Sequence, residues 1–149
     1  MSEPEPYLAI QVVMMPRDTN PHGTIFGGVI LSYLDQAGAV GARHEVARAG
    51  GNENAVLVTV AVTRVEFKQP VLVGDVVRFQ TSLVRFGRTS VTVRVRVEAE
   101  RGARRLHVTE AELVYVGIDP NSPDRRPVPL LPHREGEAPA EPKAVPQEP

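Results

Sequence analysis

The hydrophobic positions of this chain change period twice. Tyr7 to Met15 reads as a short strand that Pro16 stops. Arg17 to Gly23, rich in Asp, Asn, Pro and Gly, is a turn. Phe26, Val29, Ile30, Tyr33, Leu34, Ala37 and Val40 then recur at three- and four-residue steps. That spacing predicts one long helix from the Gly27-Gly28 pair to about Ala47, with Thr24 as a candidate cap. Its other side carries Gly28, Leu31, Gly38, Ala39 and Ala42, and no Lys or Arg falls between Ile25 and Ala42. A helix apolar nearly all round is one surrounded by protein. Ala49 to Asn54, AGGNEN, breaks it.

The second half alternates with a period of two. Ala55 to Lys68 predicts a strand with Val56, Val58, Val60 and Val62 on one face and Thr59, Ala61, Thr63 and Val65 on the other. Pro70 and Gly74-Asp75 turn the chain into Val76–Phe86, and Gly87-Arg88 turns it back into Thr89–Arg101. In that strand Val91, Val93, Val95 and Val97 alternate with Thr92, Arg94, Arg96 and Glu98, one face core and one wet, an antiparallel signature. Arg104 to Ile118 is the last strand; its apolar parity slips between Val108 and Ala111, which predicts a bulge near Thr109–Glu110. One helix and five antiparallel strands make an α+β layout. The sheet must wrap the helix, and one curved sheet leaves free edges, so pairing between subunits is expected.

Composition changes this picture at the ends. Residues 119–149 hold nine of the fourteen prolines and few large apolar residues. Val128 to Leu131 is expected to dock on a body spanning 1–132, and 133–149 to be a disordered tail. The net charge of -1 gives no electrostatic case for nucleic acid. No apolar run approaches the ~20 residues of a membrane span. The acidic start, MSEPEPYLAI, lacks a signal-peptide pattern, and there is no cysteine, so disulfide and thiol chemistry are excluded. A soluble protein of the cytoplasm is the reading these features favour.

The candidate chemistry sits in the helix. Asp35 is a single acid among Leu, Ala and Gly, seven residues after Gly28 on the same stripe. A carboxylate there must be hydrogen-bonded, paired or shifted, because burying it bare is costly. Free first-turn N–H groups at Gly27 and Gly28, beside an acid, are the parts of an acyl-transfer site: an oxyanion hole and a base. His22 lies in a turn, and His44 and His107 read as structural. No His, Asp or Glu pair has metal-ligand spacing, so neither a metal nor another cofactor is expected.

Several segments together resemble the hotdog-fold acyl-CoA thioesterases, in particular the YciA-type and brain acyl-CoA hydrolase-like group. They are DTNPHGTIFGG with SYLDQAGAV, VTVAV with FKQPVLVGD, VRFGRTSVTV, and TEAELVYVGID, spanning about residues 8–120. The resemblance implies a hotdog fold, a long helix wrapped by a five-stranded sheet. It implies hydrolysis of acyl-CoA to a free acid and CoA, with coenzyme A as part of the substrate. It implies dimers, assembled as trimers of dimers, and an active site shared between two subunits. Carried over by position, the helix acid is Asp35 and the Asn of the preceding turn is Asn20. Gly87, Arg88, Thr89 and Ser90 become candidate CoA phosphate contacts, as do Arg64 and Lys68. Two departures bear on the acyl and CoA pocket: Thr63 stands where relatives often carry Glu, and the Ala49–Asn54 loop is longer than usual. Asp35 is expected to act as general base or nucleophile. The alternatives are a non-catalytic acyl-CoA sensor, which would need an effector module, and a hotdog acyl-thioester dehydratase, which would need a His base beside the acid.

Overall fold

A computed structural model describes residues 5–132. Its elements are β1 (Tyr7–Val13), a single 3-10 turn (Pro16–Asp18), α1 (Gly27–Arg48), β2 (Val56–Val62), β3 (Val76–Phe86), β4 (Ser90–Arg101) and β5 (Arg104–Ile118). The strands form one antiparallel sheet in the order β1-β3-β4-β5-β2, so β1 and β2 are its two edges. The sheet curls around α1, and all five strands touch the helix. The tail expected over 133–149 lies outside the described residues.

The core lies between the helix and the concave face of the sheet. Val91, Val93, Val95 and Val97 are fully buried, as their alternation predicts, while Arg94 and Arg96 point to water. From α1, Ile30, Leu34, Ala37, Ala42 and Val46 face them. Gly38 and Gly41 bring the helix close to the sheet. The Tyr115 hydroxyl and the Thr81 side chain fill the space that a Cβ at each would need.

Four local expectations are corrected. Thr24 does not cap α1. The cap position is Phe26, without a side-chain cap, and the Thr24 hydroxyl instead accepts from Asn20 Nδ2. β2 ends at Val62 rather than Lys68. Beyond it only scattered bonds tie the chain to β5: Thr63 N–H to Glu112 O at 2.8 Å and Lys68 N–H to Val108 O at 2.7 Å. The Thr63 hydroxyl takes the Glu112 N–H that a continuing ladder would have used. Within β2, the register shifts between Thr59 and Ala61, so the valine alternation does not hold along the whole strand. The β5 bulge falls at Val108, one residue before the expected place, because Val97 pairs with Thr109 and Glu98 with His107.

The helix is not enclosed within one chain. Leu31 and Val40 on α1 and Phe26 at its cap are exposed, and so are Val56, Val60 and Val62 on the edge strand β2. Of the Val128–Leu131 segment expected to dock, Leu130 is fully buried, Val128 half-buried and Leu131 exposed. The Leu130 N–H donates to Arg88 O and its O accepts from Asn52 N–H. Gly51 and Gly117 leave the room for it.

Candidate functional site

Asp35 stands mid-helix, half-buried, over the β2–β5 edge of the sheet. Thr59 and Tyr115 are direct cross-strand partners there. The Thr59 hydroxyl donates to Asp35 Oδ1 at 2.7 Å. The Tyr115 hydroxyl lies 3.0 Å from the same Oδ1 and 2.8 Å from the Asp35 backbone oxygen. Asp35 Oδ2 has no hydrogen-bond partner among the described residues. Burial, then the charge of Asp35 and the bond to it, push the Tyr115 phenol well above its usual range, against a smaller opposing effect of Thr59. Tyr115 is therefore a permanent donor. The helix acid is a held carboxylate with one oxygen open, which is what its apolar surroundings demanded. Thr59 and Tyr115 are the residues that sequence reasoning missed. Thr59 was legible only as a strand position, and Tyr115 as one more aromatic in an apolar run; strand pairing alone brings them under the helix.

The helix start has the free donors that its sequence promised. The N–H groups of Gly27 and Gly28 have no backbone partner, whereas that of Phe26 donates to Asp18 O. Nothing lies near the position of a Cβ on Gly28, so its face is open; Gly27 is bounded by the Phe67 ring. These donors do not meet Asp35 within one chain. Seven residues of helix separate Gly28 from Asp35, about 10 Å at the helical rise. A reacting carbonyl must lie about 3 Å from both its donors and the attacking group. Asn20 belongs to the same end. Its Oδ1 accepts the N–H groups of His22 and Thr24, and its Nδ2 donates to the Thr24 hydroxyl, which leaves one amide hydrogen uncommitted.

The six candidate phosphate contacts divide between opposite ends of β5. Arg64 and Lys68 flank Glu66, and both pair with it. Lys68, next to Phe67, lies towards the helix start, and its N–H bonds Val108 O; Arg64 follows Thr63, whose N–H bonds Glu112 O further along β5. Gly87 to Ser90 lie at the other end, where Gly117 N–H bonds Thr89 O. Nine residues of strand separate Val108 from Gly117, about 30 Å. One chain therefore cannot put Lys68 and the hairpin on one phosphate. The hairpin is also less open than expected. The Gly87 N–H donates to Ser90 O, Ser90 is buried, and the Thr89 and Arg88 carbonyls are taken. Arg88 remains exposed with no ion pair among the described residues.

The rest of the FKQPVLVGD segment is scaffolding. Asp75 is buried, accepts the Leu72 N–H at 2.9 Å, and takes two bonds from Arg101 at 3.0 and 2.8 Å. Arg101 also donates to Pro70 O, so this pair clamps the loop that carries Phe67 to the helix start. Burial raises the Asp75 pKa, but the Arg101 and Leu72 hydrogen bonds together outweigh it and leave the carboxyl below its ordinary value. His44 stacks on Tyr7 at 3.8 Å, and among the described residues no histidine hydrogen-bonds Asp35. Among the described residues no three acids or histidines gather as a metal site, and no helix is long and apolar enough to cross a membrane.

Comparison with known proteins agrees with this architecture. A model of the thioesterase superfamily matches residues 22–105. The acyl-CoA thioester hydrolase YciA of Salmonella typhimurium is 37% identical over 132 residues, covering 85% of this chain and 92% of that one. The YciA protein of Escherichia coli K12 is 37% identical over 127 residues, covering 82% and 91%. Among solved structures, a hexameric hotdog-fold thioesterase of Campylobacter jejuni superposes with a TM-score of 0.71 at 36% identity, covering 83% of this chain and 90% of that one. HI0827, a hexameric broad-specificity acyl-coenzyme A thioesterase, does so with 0.72 at 32%, covering 89% and 90%. The curled sheet around one helix, the acid in that helix and these relatives converge: the chain belongs to the thioesterase superfamily, in its hotdog-fold, YciA-type group of acyl-CoA thioester hydrolases.

Proposed function

We propose that this protein hydrolyses acyl-CoA thioesters to the carboxylic acid and CoA, at a site that two copies of the chain build together. The observation that carries the reading is Asp35, a carboxylate in an apolar helix with one oxygen held and the other open. One copy supplies Asp35. The other supplies the Gly27 and Gly28 N–H groups, which are too far along the helix to serve the Asp35 of their own chain, together with Asn20 from the turn before them. The thioester carbonyl oxygen lies against the N–H pair. As the carbon becomes tetrahedral, that oxygen gains charge, and losing one such fixed donor typically costs ~3 kcal/mol.

Asp35 then acts in one of two ways. As a base it takes a proton from water held by the free amide hydrogen of Asn20, and the water oxygen bonds to the carbonyl carbon. As a nucleophile it bonds that carbon itself, giving an anhydride that water opens. In both cases the C–S bond breaks, and CoA leaves as a thiolate that is then protonated. The exposed cations Arg64, Lys68 and Arg88 are the side chains suited to the CoA phosphates, with those on either side of one nucleotide drawn from different copies. The assembly that follows is a trimer of dimers.

The test is thiol release from short, long and aromatic acyl-CoAs, with Asp35→Asn beside the wild type. Hydrolysis by the wild type and its near abolition in the variant, with the fold kept, are expected. Equal activity in both proteins would make the helix acid structural. Binding without turnover in the wild type would favour a sensor, and hydration of crotonyl-CoA a dehydratase.

A further inference from the structure

We infer that Tyr115 is a positioning residue for the helix acid: its one hydroxyl hydrogen is shared between the backbone oxygen and Oδ1 of Asp35, so that Oδ2 is the oxygen turned to the thioester. This rests on the hydrolase reading above. Tyr115 is fully buried, in the middle of the core, and its hydroxyl reaches the helix only because Gly38 has no side chain. A core position of that size is ordinarily filled by Phe or Leu without needing a partner. Here the ring ends on one residue, which it contacts twice, at 2.8 and 3.0 Å.

The last torsion of an aspartate is broad and roughly two-fold, so the carboxylate turns easily unless one of its oxygens is held. Tyr115 ties Oδ1 to the backbone of the same residue, which fixes the side-chain torsions and not merely the charge. Thr59 approaches the same oxygen from the edge strand, and the cross-strand pairing of Thr59 with Tyr115 sets the two donors side by side. Both donors reach Oδ1, that of Tyr115 shared with the backbone oxygen, and neither reaches Oδ2. A group meant only to neutralise a buried acid would spread its donors over both oxygens. This arrangement instead holds one oxygen and presents the other, which is what a reacting group needs to reach a near-attack geometry.

The experiment is Tyr115→Phe in the full chain, with thiol release measured over substrate concentration and Asp35→Asn run in parallel. The expected result is kcat lower by about tenfold or more, the size of one lost hydrogen bond to a charged group, with KM within about twofold. The melting midpoint and the oligomer size are measured alongside. A kcat within about twofold of wild type, or a loss carried in KM, would overturn the inference. If Tyr115→Phe does not fold, 3-fluorotyrosine at position 115 keeps the ring and makes the hydroxyl a stronger donor. A change in kcat with KM and melting midpoint held then supports the role, and an unchanged kcat overturns it. Failure of Asp35→Asn to abolish turnover would instead sink the underlying hydrolase site. An inactive Asp35→Asn beside a fully active Tyr115→Phe would sink only the role of Tyr115.

Discussion

At the scale of single residues, Gly38 is the position where packing and chemistry meet. In an exposed helix interior, replacing Gly by Ala stabilises by up to about 1 kcal/mol, because the chain loses less entropy on folding. At Gly38 the sign reverses. The new methyl group would occupy the place of the Tyr115 hydroxyl, on a ring that is fully buried in the core. Overpacking of this kind costs about 1–3 kcal/mol. Gly38→Ala is therefore expected to lower the thermal midpoint and, by pushing the hydroxyl off Asp35, to lower turnover as well. Differential scanning calorimetry with an activity assay checks both. A raised midpoint would show that Tyr115 can move aside, and that the helix–sheet contact is looser than its geometry says.

At the scale of elements, the segment between β2 and β3 matters most. It has no regular structure, yet it holds Phe67 against the first turn of α1. What makes it rigid is the Asp75–Arg101 clamp, tied to Leu72 N–H and Pro70 O. Asp75 is buried while Arg101 stays partly wet, so removing the carboxylate leaves a cation that water can still reach. Asp75→Asn is expected to cost about 1.5–3 kcal/mol near neutral pH. The pH dependence follows from the direction of the shift. The folded-state pKa of Asp75 lies below its unfolded value, so the clamp contributes fully above that unfolded value, near 4. Its contribution is lost as pH falls through the folded pKa. The stability gap between wild type and Asp75→Asn should therefore be large at pH 7 and shrink in strong acid. Chemical unfolding at both pH values measures it; a gap independent of pH would assign the loss to packing alone.

At the scale of the whole molecule, the proposed site needs two copies of the chain. Both sheet edges are free, and Leu31, Val40, Val56, Val60 and Val62 put apolar area in water around Asp35. Gly28 and Asp35 of one chain are too far apart to hold one carbonyl. Mixing subunits tests the shared site directly. Gly28→Ala fits the folded chain, because nothing lies within 4 Å of a Cβ there, but it crowds approach to the N–H groups. Asp35→Asn removes the acid. Each variant alone is expected to be inactive. Co-expressed, random pairing makes half of the dimers mixed, and each mixed dimer holds one intact site out of two, so about a quarter of wild-type activity should return. No recovery in mixed oligomers isolated by two affinity tags would place acid and donors in the same chain.

Much of this was legible in the order of the residues, because secondary structure follows local periodicity. The long helix, the strict valine alternation of β4, the parity slip in β5 and the docking of Val128–Leu131 were all readable without coordinates. So was Asp35, since one acid in an apolar helix is conspicuous at short range. The early end of β2 was not legible, because it depends on whether β5 continues the ladder opposite Thr63. Nor were the partners of Asp35. Thr59 and Tyr115 lie 24 and 80 residues away from it, and only strand pairing, with Gly38 making room, brings them to one oxygen. A pattern along the chain states that a buried charge needs partners; which side chains supply them is settled by the packing of helix on sheet.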